Sequence, residues 1–134
     1  MVPDRQSIDV THQDQVTVIS FRNELDLEDT AEATLALSGA LTEADTAGTL
    51  LDLADLTFAD STLLNVILRA HAEHQEALRP FVLTGPYHTG ISRLFEVTGV
   101  TTVLDMADTL DEGARRVREA LDTNSSAAPD ENAR

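Results

Sequence analysis

Cysteine, lysine and tryptophan are absent from this chain of 134 residues, and its aromatic residues are only four Phe and one Tyr. Without cysteine there is neither a disulfide framework nor a thiolate metal site. With so few rings, the core must be built from Leu, Val, Ile and Ala; a hydrophobic content of 42% is enough for one globular domain. No apolar run approaches the length that spans a bilayer. The opening residues, MVPDRQSIDV, lack the basic-then-apolar layout of a secretion signal. A single cytoplasmic domain is the expectation. Positive charge is scarce as well: nine arginines face 24 carboxylates, for a formal net charge of −15. Such a balance repels phosphate backbones and anionic lipid surfaces, which predicts no nucleic-acid and no membrane partner. It can steer the chain towards a basic protein surface, although solubility accounts for most of it.

The most informative stretch is Thr49 to Arg69, TLLDLADLTFADSTLLNVILR. Leu50, Leu51 and Leu53 form a hydrophobic run that leads through Leu56 and Phe58 to an acidic corner at Asp60. Ser61 follows, and a helical apolar pattern starts at once, with Leu64, Ile67, Leu68 and His71 on one stripe. The pattern reads as buried strand, turn and helix, with Ser61 or Asp60 as the cap. In open α/β sheets, sites gather where strands end and helices begin. A helix start also presents free N–H groups and the positive end of a dipole. Ser61 is therefore the residue to explain.

The rest of the chain alternates in the same way. A short strand is expected near Ile8–Val10, and a β-branched strand runs from Val16 to Phe21. Asn23-Glu24-Leu25-Asp26 reads as a turn-like acidic corner. Ala33, Leu37 and Leu41 mark one face of a helix over residues 31–41. Phe81-Val82-Leu83 is a strand, Gly85-Pro86 a turn, and Ile91, Leu94 and Phe95 a short helix stopped by Gly99. Val100–Leu104 is a last short strand. Asp108, with Asp111 three residues on, caps a closing helix whose face is Leu110, Ala114, Val117 and Leu121. Residues 122–134 are polar and aperiodic, so a disordered tail is expected there. The fold class is α/β: a mostly parallel central sheet of about four to five strands, covered by about four helices. The strand Leu50–Leu53 is central, being apolar on both faces.

In order and spacing, four segments resemble the STAS domain family, and within it the small anti-sigma factor antagonists. VTVISFRNELD (16–26) is similar to the family's strand and Gly-Glu-Leu-Asp corner. LLDLADLTFADSTLL (50–64) resembles the strand and its Asp-Ser-Ser/Thr-Gly-Leu phosphorylation loop. FVLTGPYHTGISRLFEVTG (81–99) is similar to the strand, Gly-Pro turn and helix that follow, and 108–117 to the closing helix. The resemblance covers residues 16–121, within a domain of residues 1–121. Two positions depart from it. Asn23 stands at the corner glycine, where Asn tolerates a left-handed backbone. Leu63 stands at the glycine two residues after the serine, near the surface where a partner would dock.

The resemblance implies partner switching. The unmodified protein binds an anti-sigma factor that is also a serine kinase, which frees a sigma factor. Phosphorylation by that kinase breaks the complex, and a serine phosphatase resets it. Carried over, Ser61 is the phosphoacceptor and Thr62 a secondary candidate. Asp26, Asp60, Thr62, Leu63 and Asn23 accompany Ser61 on the partner-binding surface. No cofactor and no metal belong to this chain; ATP belongs to the kinase. No feature indicates an oligomer, so a monomer is the default. An accessory subunit of an ABC-type membrane transport complex, or a signalling scaffold, is the alternative implied by the same family.

The residues also weigh against an enzyme. Ser61 lacks the glycine-flanked elbow of a hydrolase, and His71 and His74 lie too far along the same helix to act as its base, roughly 15–20 Å at ~1.5 Å per residue. Those two histidines, with Glu73 and Glu76, read as an exposed polar helix end rather than a metal site. His12 and His88 are isolated.

Overall fold

Two rows of aliphatic side chains, one on each face of a sheet, organise the molecule. Parallel pairing aligns Val18 with Leu50 and Ile19 with Leu51. The next strand adds Val82 beside Leu50 and Leu83 beside Leu51. Successive residues point to opposite faces, so Ile19, Leu51 and Leu83 serve one core while Leu50 and Val82 serve the other. A strand apolar on both faces is thereby covered on both, as a parallel sheet requires.

The computed structural model describes the backbone of residues 7–43 and 46–133, and the side chains of those residues as far as Thr123. Strands are β1 (Ile8–Gln13), β2 (Val16–Phe21), β3 (Asn23–Leu25), β4 (Gly48–Asp52), β5 (Leu56–Ala59), β6 (Phe81–Thr84) and β7 (Met106–Ala107). Helices are α1 (Thr30–Thr42), α2 (Ser61–Glu76), α3 (Thr89–Thr98) and α4 (Leu110–Ala133). The main sheet has the order β1-β2-β4-β6-β7, and β3 pairs with β5 in a separate ribbon. Only β1 runs antiparallel to its neighbour in the main sheet; the other pairings are parallel. The α/β architecture expected from the alternation is therefore the one observed.

The larger core holds Ala33, Leu37 and Ala40 of α1, Leu63, Leu64 and Ile67 of α2, and Ile91 and Phe95 of α3. On the opposite face α4 packs through Val117, flanked by Ala114 and Leu121, against Val16, Leu50 and Val82. Gly113 makes this approach possible: a Cβ there would run into Thr84 Cγ2 and lie 3.1 Å from Leu50 Cδ2. Arg116 ties α4 to β7, bonding Asp105 at 2.7 Å and the Met106 carbonyl at 3.2 Å. The Tyr87 hydroxyl donates to the carbonyls of Leu83 and Ala107, bridging the ends of β6 and β7, and burial pushes its pKa up.

Several elements differ from the sequence expectation. Val100–Leu104 is not a strand. After Gly99, left-handed at φ 78°, the chain makes a 3-10 turn over Val100–Thr102, and the strand comes later, at Met106–Ala107. Val100 and Leu104 are both buried, four residues apart, and the Leu104 N–H bonds the Val100 carbonyl. Burial at helical spacing outweighs the β-branched composition. Thr109 rather than Asp108 caps α4, accepting from the Glu112 N–H at 3.1 Å. The α4 backbone is helical as far as Ala133.

His74 is not part of an exposed helix end. It is buried at 1% exposure and stacks on Phe81 with ring centroids 4.6 Å apart. Its Nδ1 bonds the Ala70 carbonyl at 2.7 Å, and its Nε2 faces Thr49 Oγ1 at 2.9 Å. A carbonyl can only accept, so Nδ1 carries the hydrogen and Nε2 accepts from the threonine.

Candidate functional site

The β3–β5 ribbon builds the site. Its register pairs Asn23 with Leu56 and Leu25 with Ala59, with an irregularity after Asn23. Asn23 absorbs that irregularity in the left-handed region, at φ 64°. Its N–H donates to the Asp55 carbonyl, and its own carbonyl accepts from Thr57 Oγ1, both at 2.9 Å. The residues directly after the paired Leu25 and Ala59 are Asp26 and Asp60. Parallel register thus sets these two residues side by side where the strands end, about one strand spacing (~4.8 Å) apart at the backbone.

Both carboxylates are used locally. Asp26 caps the 3-10 turn Leu27–Asp29: its carboxylate accepts from the Glu28 N–H at 3.0 Å, while Asp29 accepts from the Asp26 N–H at 2.9 Å. Asp60 is the N-cap of α2. Its Oδ1 accepts from the N–H groups of Thr62 and Leu63, at 3.1 and 3.2 Å, and from the Thr62 hydroxyl. The Thr62 hydroxyl bond is the main reason the Asp60 pKa is lowered, with the two backbone N–H bonds adding to it. Asp60 is therefore ionised at neutral pH.

Ser61 is the first residue of α2, and it is exposed. Its hydroxyl bonds no described residue, whereas that of Thr62 is committed to Asp60. The cap is Asp60 and not Ser61, so the Ser61 hydroxyl takes no part in holding the helix end.

The structure brings Asp26, Asp60, Ser61 and Thr62 together and places Asn23 at the far end of β3. Leu63 does not join them. It is completely buried and belongs to the larger core, so it cannot line a docking surface. Its backbone N–H serves the Asp60 cap while its side chain points inward with Leu64 and Ile67. Sequence reading missed Phe58, half-exposed on β5, and Leu27, exposed on the 3-10 turn. A lone apolar residue in a strand-like run carries no mark of exposure.

A cleft of about 250 Å³ opens between α1 and α2, bordered by Thr34, Thr62, Asn65, Val66 and Arg69. No histidine lines it. Among the described residues no group of three or more His, Asp or Glu could hold a metal ion, and no helix is long and apolar enough to cross a membrane.

The sequence profile described as "Mlab, STAS domain" matches residues 8–106. The chain belongs to the STAS domain family. Solved structures share its fold. An anti-sigma factor antagonist from Mycobacterium paratuberculosis superimposes with a TM-score of 0.73 at 22% identity, covering 87% of this chain and 97% of that one. The Bacillus cell fate determinant SpoIIAA, in its phosphorylated form, gives 0.64 at 19% identity, covering 82% of this chain and 98% of that one. RsbS from Moorella thermoacetica gives 0.71 at 19%, covering 85% and 97%. No curated protein matches this STAS domain.

Proposed function

We propose that this STAS domain is an anti-sigma factor antagonist, a regulatory binding protein whose Ser61 is a phosphorylation switch. The observation that carries the reading is the free, exposed Ser61 hydroxyl beside the ionised Asp60, at the corner from β5 into α2. In the unmodified state the protein binds a cytoplasmic anti-sigma factor with serine kinase activity and so releases a sigma factor. The kinase supplies ATP. Ser61 Oγ attacks the γ-phosphorus, the bond to the leaving ADP breaks with its electron pair, and the hydroxyl proton passes to a base of the kinase. A serine phosphatase later transfers the phosphoryl group to water.

Local geometry explains why modification needs no refolding. A phosphoserine adds about −1.5 to −2 charge. The α2 dipole favours an anion there, but the N–H groups of Thr62 and Leu63 already bond Asp60 and that of Leu64 bonds the Asp60 carbonyl. The phosphate therefore projects outward, where its bulk blocks a partner seated over Ser61 and its charge resists burial in that partner's surface. A loss of ~3 kcal/mol is about a hundredfold in affinity.

The test is a pull-down from native cell extract with wild-type, Ser61→Ala and Ser61→Asp baits, with captured proteins identified by mass spectrometry. The expected result is an ATPase-type anti-sigma factor retained by wild type and Ser61→Ala and lost by Ser61→Asp. If all three baits retain one transporter ATPase or scaffold protein, switching is wrong and the domain is an accessory subunit.

A further inference from the structure

We propose that Phe58 and Leu27 are the apolar anchors of the partner-docking face, and that this face fits a protein surface whose apolar pocket is rimmed by arginine or lysine. The proposal rests on the partner-binding reading of the Ser61 corner and supplies the apolar contact that Leu63 cannot make. Phe58 is 50% exposed and Leu27 65%; ten other leucines are buried, while Leu35 and Leu78 are exposed on α1 and just after α2. Phe58 lies three residues before Ser61 and pairs across the ribbon with Glu24. Leu27 directly follows Asp26, in the turn that Asp26 caps. Both therefore border the corner where Asp26 and Asp60 stand.

The chain segment that carries them has one sign of charge. From Asn23 to Leu68 there is no arginine, lysine or histidine, against ten carboxylates. Glu24, Asp26 and Glu28 are exposed among them. An acidic rim repels another copy of this chain and anionic lipid, and it attracts a basic protein surface. An exposed ring inside such a rim has the composition of an interface hot spot, where a desolvated aromatic anchor is surrounded by polar contacts. Phosphorylation of Ser61 would place a bulky, strongly hydrated group at the edge of this same face, holding the apolar surfaces apart.

The test uses the purified protein that the Ser61→Ala bait retains, titrated calorimetrically with full-length variants. Phe58→Ser and Leu27→Ser should each weaken binding by about tenfold or more. Glu24→Lys should weaken it too, and wild-type affinity should fall with added salt. Leu27 lies on a surface turn, so its variant keeps the test valid if Phe58→Ser does not fold. Wild-type affinity in both apolar variants, insensitivity to salt, or a bait that retains no partner would overturn the proposal. If Ser61→Asp binds as tightly as wild type while Phe58→Ser does not, the docking face stands and the switch fails.

Discussion

The Thr62 hydroxyl donates to the Asp60 carboxylate, and this one bond divides the labour at the start of α2. Asp60 holds the helix end, Thr62 holds Asp60, and Ser61 between them holds nothing among the described residues. A hydroxyl already donating to a carboxylate must give up that bond before it can be aligned for phosphoryl transfer. This geometry supports the proposal that Ser61, rather than Thr62, is the acceptor.

Leu63 is a core residue standing where the family resemblance has glycine. Leu63→Gly removes a fully buried side chain, at ~2–5 kcal/mol for the truncation, plus ~1 kcal/mol for glycine within a helix. Urea unfolding should show a midpoint well below that of wild type. An unchanged midpoint would put Leu63 outside the core.

His74 should make stability depend on pH near neutrality. Burial lowers its pKa from the ordinary value of 6.5, the Ala70 carbonyl opposing that shift in part. Between the folded and unfolded pKa values the unfolded chain binds more protons, so stability rises with pH across that window. On acidification from pH 7.5, stability should begin to fall as the pH passes below about 6.5. Melting curves of wild type and His74→Gln at several pH values check this. The substitution should flatten the dependence, and an unaltered slope would mean that another group is responsible.

Gly113 lets α4 lie on the sheet. Gly113→Ala gains up to ~1 kcal/mol in helix propensity, but the new methyl meets Thr84 and Leu50, and such overpacking costs ~1–3 kcal/mol. The net effect should be a lower Tm, with Gly113→Leu worse still. A rise in Tm for Gly113→Ala would show that the Thr84 side chain yields easily.

Much of this molecule is legible in its sequence because the decisive forces there are local. The strand–helix alternation follows from apolar periodicity, the aliphatic core from the scarcity of rings, and the Gly99 helix stop from backbone sterics. Asn23 was expected to tolerate a left-handed backbone, and it adopts one. The Ser61 corner was visible because an apolar run, an acidic residue and a helical stripe follow one another. What remained hidden depends on residues far apart in the chain. Only the β3–β5 register sets residue 26 beside residue 60. Only packing decides that Leu63 turns inward while Phe58 stays out, since two apolar side chains near one corner look alike in a sequence. His74 reads as polar until Thr49 and Phe81, from neighbouring strands, close over it. Periodicity names the elements, but which face of each meets which neighbour is fixed by volume and hydrogen-bond satisfaction across the assembled core.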